Sequence, residues 1–312
     1  MILILEREKI HAEIFLGLLQ FLQKYNIDFE ISIANQGQRN ILDYIELFNI
    51  KPIKKNNNNN KIFDLIILGT PSVLNHRHKF KVKEYKNHLV FNHRGTKTKF
   101  PSIFLGKVPY DNFIFKKNFW REKHLIPNYF IPKNIANYKN NYFLQIGTIL
   151  DKNWEFLENL KNSDYTIDII NRHFEYPEFK NKNIFLNKKE VNWEELLSKL
   201  LKTKFILNLF KDDSIYHNKG ISGIIPYAIS LGIPFLCDEK YYIASGFDFL
   251  DKNLIYKNTK DDFKRAFEYS CKMSYQDWKK QQNKIIDFRN NTIKINEKKW
   301  KNLLSRFLNI VI

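Results

Sequence analysis

The stretch Tyr216–Glu239, read YHNKGISGIIPYAISLGIPFLCDE, limits the fold more than any other part of the chain. Two glycines three apart, Gly220 and Gly223, precede an apolar run, and Gly232-Ile233-Pro234 then leads into a short apolar segment ending at Cys237-Asp238. This order predicts a glycine-bearing loop, a buried helix, a tight turn and a buried parallel strand. Small residues let backbone N–H groups come close to a ligand. The helix N-terminus behind them carries roughly +0.5 of partial charge, which suits a phosphate. The chain has only 10 glycines, so two in this place favour such a cradle.

The same rhythm recurs along both halves. Short apolar runs at Met1–Leu5, Asp28–Ala34, Phe63–Leu68, Leu89–Phe91, Phe100–Leu105 and Asn112–Phe115 predict strands. Between them, helical spacing of Ile10, Ile14, Leu18 and Leu22 predicts one helix and Ile41–Phe48 another. Asn56–Asn60 reads as a surface loop, and Lys133–Asn141 as a linker. Beyond it, Tyr142–Ile146, Thr166–Ile170, Ile184–Leu186 and Phe205–Leu209 predict strands. Trp154–Leu160 and Val191–Leu201 predict helices, the second capped by Asn192, and a further helix starts near Asp261. Such alternation predicts α/β domains with parallel sheets and ligands at the strand C-termini.

Hydrophobic residues make up 44% of the 312 positions, which excludes a disordered chain. Two cysteines, Cys237 and Cys271, give no bridge framework. The first apolar stretch is too short for a leader, and no run approaches the ~18 residues of a membrane span, so a cytoplasmic location is expected. The net charge of +18 favours acidic partners, whether nucleotides, an anionic membrane surface or nucleic acid. At the end of the chain Trp300, Leu303, Leu304, Phe307, Leu308 and Val311 form one helix face opposite Lys298, Lys301 and Arg306. That helix packs on a domain or lies on a membrane surface.

His217, Gly220, Gly223, Ala228, Gly232 and Pro234, together with Gly147-Thr148 after the first strand of the second half, resemble nucleotide-sugar glycosyltransferases of the GT-B fold. The family places Glu-Ala three residues before Gly-x-Pro, and Ala228 and Gly232-Ile233-Pro234 keep that spacing. The resemblance implies two Rossmann-like α/β domains facing across a cleft. Residues 1–135 would be the acceptor side, 136–290 would bind the nucleotide sugar, and the helix in 291–312 would cross back to the first domain. It implies donor contacts from Gly147, Thr148, Arg172, His217, Lys219, Gly220, Ile221, Ser222 and Gly223. Tyr227 stands where the family has a Glu that bonds the ribose; it can reach a hydroxyl but offers no bidentate carboxylate.

Some inverting members place a catalytic base at the position of His11, with Glu13 the alternative here, and His93 and Arg94 fall on the acceptor side. The implied reaction moves a sugar from a nucleotide-diphosphate donor, a co-substrate and not a cofactor, to a glycan or other hydroxyl acceptor. No D-x-D occurs in the chain, Asp212-Asp213 is a weak substitute, and His76-Arg77-His78 lacks a carboxylate or Cys at zinc-like spacing. Metal-independent transfer is therefore expected. A nucleotide-sugar epimerase, a DNA-glucosylating or nucleic-acid-binding protein, and a silent binding protein of the same fold stay open.

Overall fold

A computed structural model describes residues 1–6, 13–33, 63–69, 85–91, 102–104, 123–127, 129–147, 152–158, 160, 164–170, 178–187, 191–212 and 222–309. The first half holds β1 (Ile2–Glu6), α1 (Glu13–Lys24), β2 (Phe29–Ile33), β3 (Phe63–Leu68), β4 (Tyr85–Phe91), β5 (Ser102–Phe104) and β6 (Lys123–Leu125). The second holds β7 (Tyr142–Ile146), α2 (Glu155–Glu158), β8 (Thr166–Ile170), β9 (Ile184–Asn187), α3 (Trp193–Lys202) and β10 (Phe205–Leu207). It continues with α4 (Ile224–Leu231), β11 (Phe235–Asp238), α5 (Glu239–Ser245), β12 (Ile255–Tyr256), α6 (Lys260–Lys272) and α7 (Tyr275–Leu308).

The strands form two six-stranded sheets, ordered β2-β1-β3-β4-β5-β6 and β12-β11-β10-β7-β8-β9. Every neighbouring pair in both sheets runs parallel. Parallel strands are covered on both faces and so read as unbroken apolar runs. Ile2, Leu3 and Ile4 of β1 and Phe205, Ile206 and Leu207 of β10 are accordingly fully buried. The chain divides into two compact units. Described residues up to Lys133 join those from Asn290 onward, and described residues from Asn134 to Arg289 make up the other.

Within the first unit, Trp300 of α7 packs near Phe21 of α1 and Phe91 of β4, with ring centroids 6.4 and 6.2 Å away. Trp300, Leu303 and Leu304 are all buried, so this face of the final helix is spent on the protein's own core. Side chains of this size contribute about 2–3 kcal/mol each on burial. No helix among the described residues is long and apolar enough to cross a membrane.

Some segments depart from the sequence reading. The helix expected over Trp154–Leu160 is the single turn Glu155–Glu158. The Lys133–Asn141 linker is tied down, because the Ala136 N–H donates to Leu231 O and the Asn137 N–H to Leu201 O. Asn192 caps α3 as expected, its side chain accepting from the Glu195 N–H at 2.9 Å, worth about 1 kcal/mol. The expected elements over Ile41–Phe48, Asn56–Asn60 and Asn112–Phe115 lie outside the described residues.

Several acidic protons are held by burial. The Cys271 thiol is pushed up to about 12, and the Cys237 thiol and the Tyr142 and Tyr256 phenols also move upward, burial being the largest cause in each. These groups stay protonated in the native chain at pH values where the unfolded chain has released its protons. Their stabilisation is complete below the ordinary values of 9.0 for a thiol and 10.0 for a phenol and is lost as pH rises toward the native ones. The buried Lys204 ammonium is shifted down and opposes this as a single group. The urea midpoint is therefore expected to fall between about pH 8 and about pH 11. An unchanged or higher midpoint at the alkaline end contradicts the assignment.

Candidate functional site

In the second sheet the chain starts at β7, runs outward through β8 and β9, then returns to the other side of β7 for β10, β11 and β12. The strand order thus reverses between β7 and β10, and ligands in open parallel sheets bind at the carboxyl ends of strands flanking such a reversal.

Two glycine-bearing segments leave these two strands. Gly147 follows β7 with φ +127°, a conformation that L side chains rarely adopt, and its N–H donates to Ile170 O at 3.2 Å. After β10 the chain reaches Ser222 and Gly223, and Gly223 caps α4 without any side-chain hydrogen bond to the helix end. Because α4 joins the parallel strands β10 and β11, its N-terminus faces the carboxyl edge of the sheet.

All eight residues of α4 are buried. Its last turn is fastened closely. Gly232 takes the left-handed conformation at φ 69°, and the Ile233 N–H donates to Ala228 O at 2.8 Å. The Gln282 amide of α7 donates to Gly232 O at 3.1 Å and Ala136 O at 2.7 Å, and the Arg289 guanidinium donates to Ser230 O at 2.6 Å. A helix held so firmly at one end presents its other end in a fixed position.

Past the switch point the two loops are knitted together. The Asn153 N–H donates to Leu209 O at 2.8 Å, and the Asn153 amide donates to Phe210 O at 3.2 Å. Lys152 bridges to Phe210 and lays its ammonium 3.8 Å from the centre of that ring. Its Cε comes within 3.8 Å of where a Cβ on Gly147 would stand. Lys152 is a cation at the switch point that sequence reading passed over, since nothing marks it among the 51 Lys and Arg residues. Asn208, just after β10, was also missed. It is 1% exposed and, apart from the adjacent Cys237 thiol, its carboxamide has no hydrogen-bond partner among the described residues.

Of the expected donor contacts, Gly147, Ser222, Gly223 and Tyr227 are described. Gly147 flanks the switch point, and Ser222 and Gly223 lead into α4 from its β10 side. Tyr227 points into packing: it is 5% exposed, with its ring 5.3 Å from that of Trp193 on α3. Thr148, Arg172, His217, Lys219, Gly220 and Ile221 lie outside the described residues, as do His11, His93 and Arg94. Glu13 opens α1, which follows β1, and the first sheet reverses its order between β1 and β3. Asp212 is engaged by Lys240 at 2.8 Å and Asn258 at 3.0 Å. Among the described residues no three His, Cys, Asp or Glu side chains gather as a metal site needs.

The architecture matches solved structures over nearly its whole length. Anabaena Alr3699/HepE, crystallised with UDP and glucose, aligns at a TM-score of 0.64 over 98% of this chain and 100% of that one, with 11% identity. A complex of the same protein with UDP-glucose gives 0.63 over 97% and 99%, also at 11% identity. An α,α-trehalose-phosphate synthase (UDP-forming) from Burkholderia vietnamiensis gives 0.59 over 99% and 100%, at 7% identity. The chain has the GT-B fold. No protein-family model matches the sequence, and no curated protein matches it. Within the GT-B fold the second sheet carries the helix, turn and strand expected from Tyr216–Glu239, as α4, Gly232 and β11, while residues 216–221 of the expected loop lie outside the described residues.

Proposed function

We propose that the chain is a glycosyltransferase that moves a sugar from a nucleoside-diphosphate donor to a hydroxyl acceptor. The observation that supports this reading is the approach of Lys152 to Gly147 at the β7–β10 switch point of a GT-B chain, with α4, whose N-terminus has no side-chain cap, entering between β10 and β11. A diphosphate there receives backbone N–H groups, the positive end of α4 and the Lys152 charge. Uridine diphosphate is the first candidate, since similar structures were crystallised with UDP and UDP-glucose.

In the reaction the acceptor oxygen bonds to the anomeric carbon, the bond from that carbon to the diphosphate oxygen breaks, and the acceptor's proton passes to a base. His11 is the proposed base and Glu13 the alternative. Charge growing on the leaving diphosphate is met by groups fixed in advance, the kind of stabilisation that contributes most to such steps. The acceptor side is assigned to His93 and Arg94.

Lys152→Met keeps the stem against Phe210 and removes the charge. It is expected to weaken UDP binding by about tenfold, the loss of one charge-assisted contact. Calorimetric titration of both proteins checks this, and equal affinities would remove Lys152 from the site.

A further inference from the structure

From Asn290 onward α7 belongs to the first unit, and its rotation there is fixed. Trp300, Leu303 and Leu304 are buried, Trp300 packs near Phe21 and Phe91, and the Asn87 amide of β4 donates to Phe307 O at 3.2 Å. The opposite face therefore points outward. Lys294, Ile295, Lys298, Lys299, Asn302 and Arg306 recur along it at helical spacing, and all six are exposed. At a rise of about 1.5 Å per residue they form a straight stripe roughly 18 Å long.

This stripe holds no carboxylate. The one acidic residue of α7 beyond Asn290 is Glu297, which faces α1: Lys24 pairs with it at 2.6 Å and the Tyr25 hydroxyl donates to it at 3.2 Å. A surplus of lysine in the chain does not by itself make such a face. On α6 the cations are answered locally, Lys260 by Glu155 at 3.1 Å, Lys264 by Glu268 at 3.9 Å and Arg265 by Asp262 at 2.6 Å. A stripe of one sign attracts a polyanionic surface, and about four or more Lys and Arg side chains on one helix suit the headgroups of anionic lipids.

Two features favour a bilayer over a nucleic acid. Ile295 is 55% exposed among the lysines, where an apolar side chain can enter the boundary between headgroups and acyl chains. Next, α1 lies alongside, its Phe21 near Trp300 and its Lys24 on Glu297, while the Lys301 ammonium stands 4.2 Å from the ring centre of Tyr25. Two adjacent helices, each about 10–12 Å across, make a slab wider than the ~12 Å major groove that a single helix enters. We propose that this face of α7 docks on a bilayer containing anionic lipid, with Lys294, Lys298, Lys299 and Arg306 at the headgroup phosphates and Ile295 at the acyl boundary. The apolar face of the helix is already held by the core, so docking is reversible and governed by charge. It does not depend on the glycosyl-transfer reading.

The test is co-sedimentation of the full chain with vesicles of phosphatidylcholine alone and of an equimolar mixture with phosphatidylserine, beside retention on duplex DNA. Three variants accompany it. Lys294→Glu with Lys298→Glu reverses the stripe, Ile295→Ser removes the apolar contact, and Lys180→Glu with Lys182→Glu makes the same change of net charge on another exposed segment. All these positions are exposed, so the thermal midpoints should stay as in the wild type. Binding to the mixed vesicles and not to phosphatidylcholine is expected, falling between about 0.1 M and about 1 M salt. The stripe reversal should weaken it at least about tenfold, Ile295→Ser at least about threefold, and the control pair far less than the stripe reversal. No binding to mixed vesicles, equal binding to phosphatidylcholine, equal losses in the two charge-reversed pairs, or undiminished binding by Ile295→Ser would overturn the proposal. So would DNA retention that the stripe reversal abolishes while vesicle binding persists, which would give the face to nucleic acid.

Discussion

Gly232→Ala is expected to lower the unfolding free energy by about 2–4 kcal/mol. The left-handed conformation at φ 69° costs a residue with a Cβ roughly 1–2 kcal/mol. Space adds to this. The new Cβ would stand 3.1 Å from Ile286 Cγ1 and 3.2 Å from both Gln282 Cγ and Ile286 Cδ1, so α7 side chains must give way. Overpacking of that kind costs typically about 1–3 kcal/mol. The displaced Gln282 is the residue that bonds Gly232 O and Ala136 O, so strain passes directly to the fastening of α4. Urea titrations with an unchanged slope and a lower midpoint are expected. A loss under about 1 kcal/mol would mean that α7 yields freely and that the turn is not constrained as described.

Lys204→Met is expected to cost about 3 kcal/mol, although Met fills nearly the same volume. Lys204 is 2% exposed, and its ammonium donates to Asn141 Oδ1 at 2.8 Å, Cys271 O at 3.0 Å and Met273 O at 3.2 Å. The ammonium also lies 5.0 Å from the ring centre of Tyr138, and the Lys204 carbonyl accepts from the Trp278 indole at 2.7 Å. Removing the donor leaves three acceptors unpaired at about 1–3 kcal/mol each. Relief from burying a charge offsets part of that sum, as the downward shift of its pKa by burial indicates. A variant as stable as the wild type would show that these carbonyls find water instead. Thermal and urea unfolding of the two proteins decide the matter.

Much of the fold could be read before any coordinates, for a physical reason. Phe63–Leu68, Tyr142–Ile146 and Thr166–Ile170 came out with the bounds expected, because strands buried on both faces must be apolar throughout. The Gly232-Ile233-Pro234 turn was equally legible, since a left-handed helix cap selects glycine. β6 was not read, being three residues, Lys-His-Leu, at a sheet edge with no apolar run. The first part of the 34-residue α7, Tyr275–Asn290, was missed because it is rich in Lys, Asn and Gln, and its buried contacts come in part from polar residues such as Gln282 and Arg289. Lys152 and Asn208 carry no local signature. Their meaning comes from the register of β7 against β10, which sets the two loops side by side.

The central claim, that the β7–β10 switch point holds a nucleoside diphosphate, is tested most directly by calorimetric titration of the full chain with UDP, ADP and GDP. The account predicts saturable binding at one site per chain with a clear preference for one base, and an affinity about tenfold weaker in Lys152→Met. No saturable binding of any of the three would contradict it.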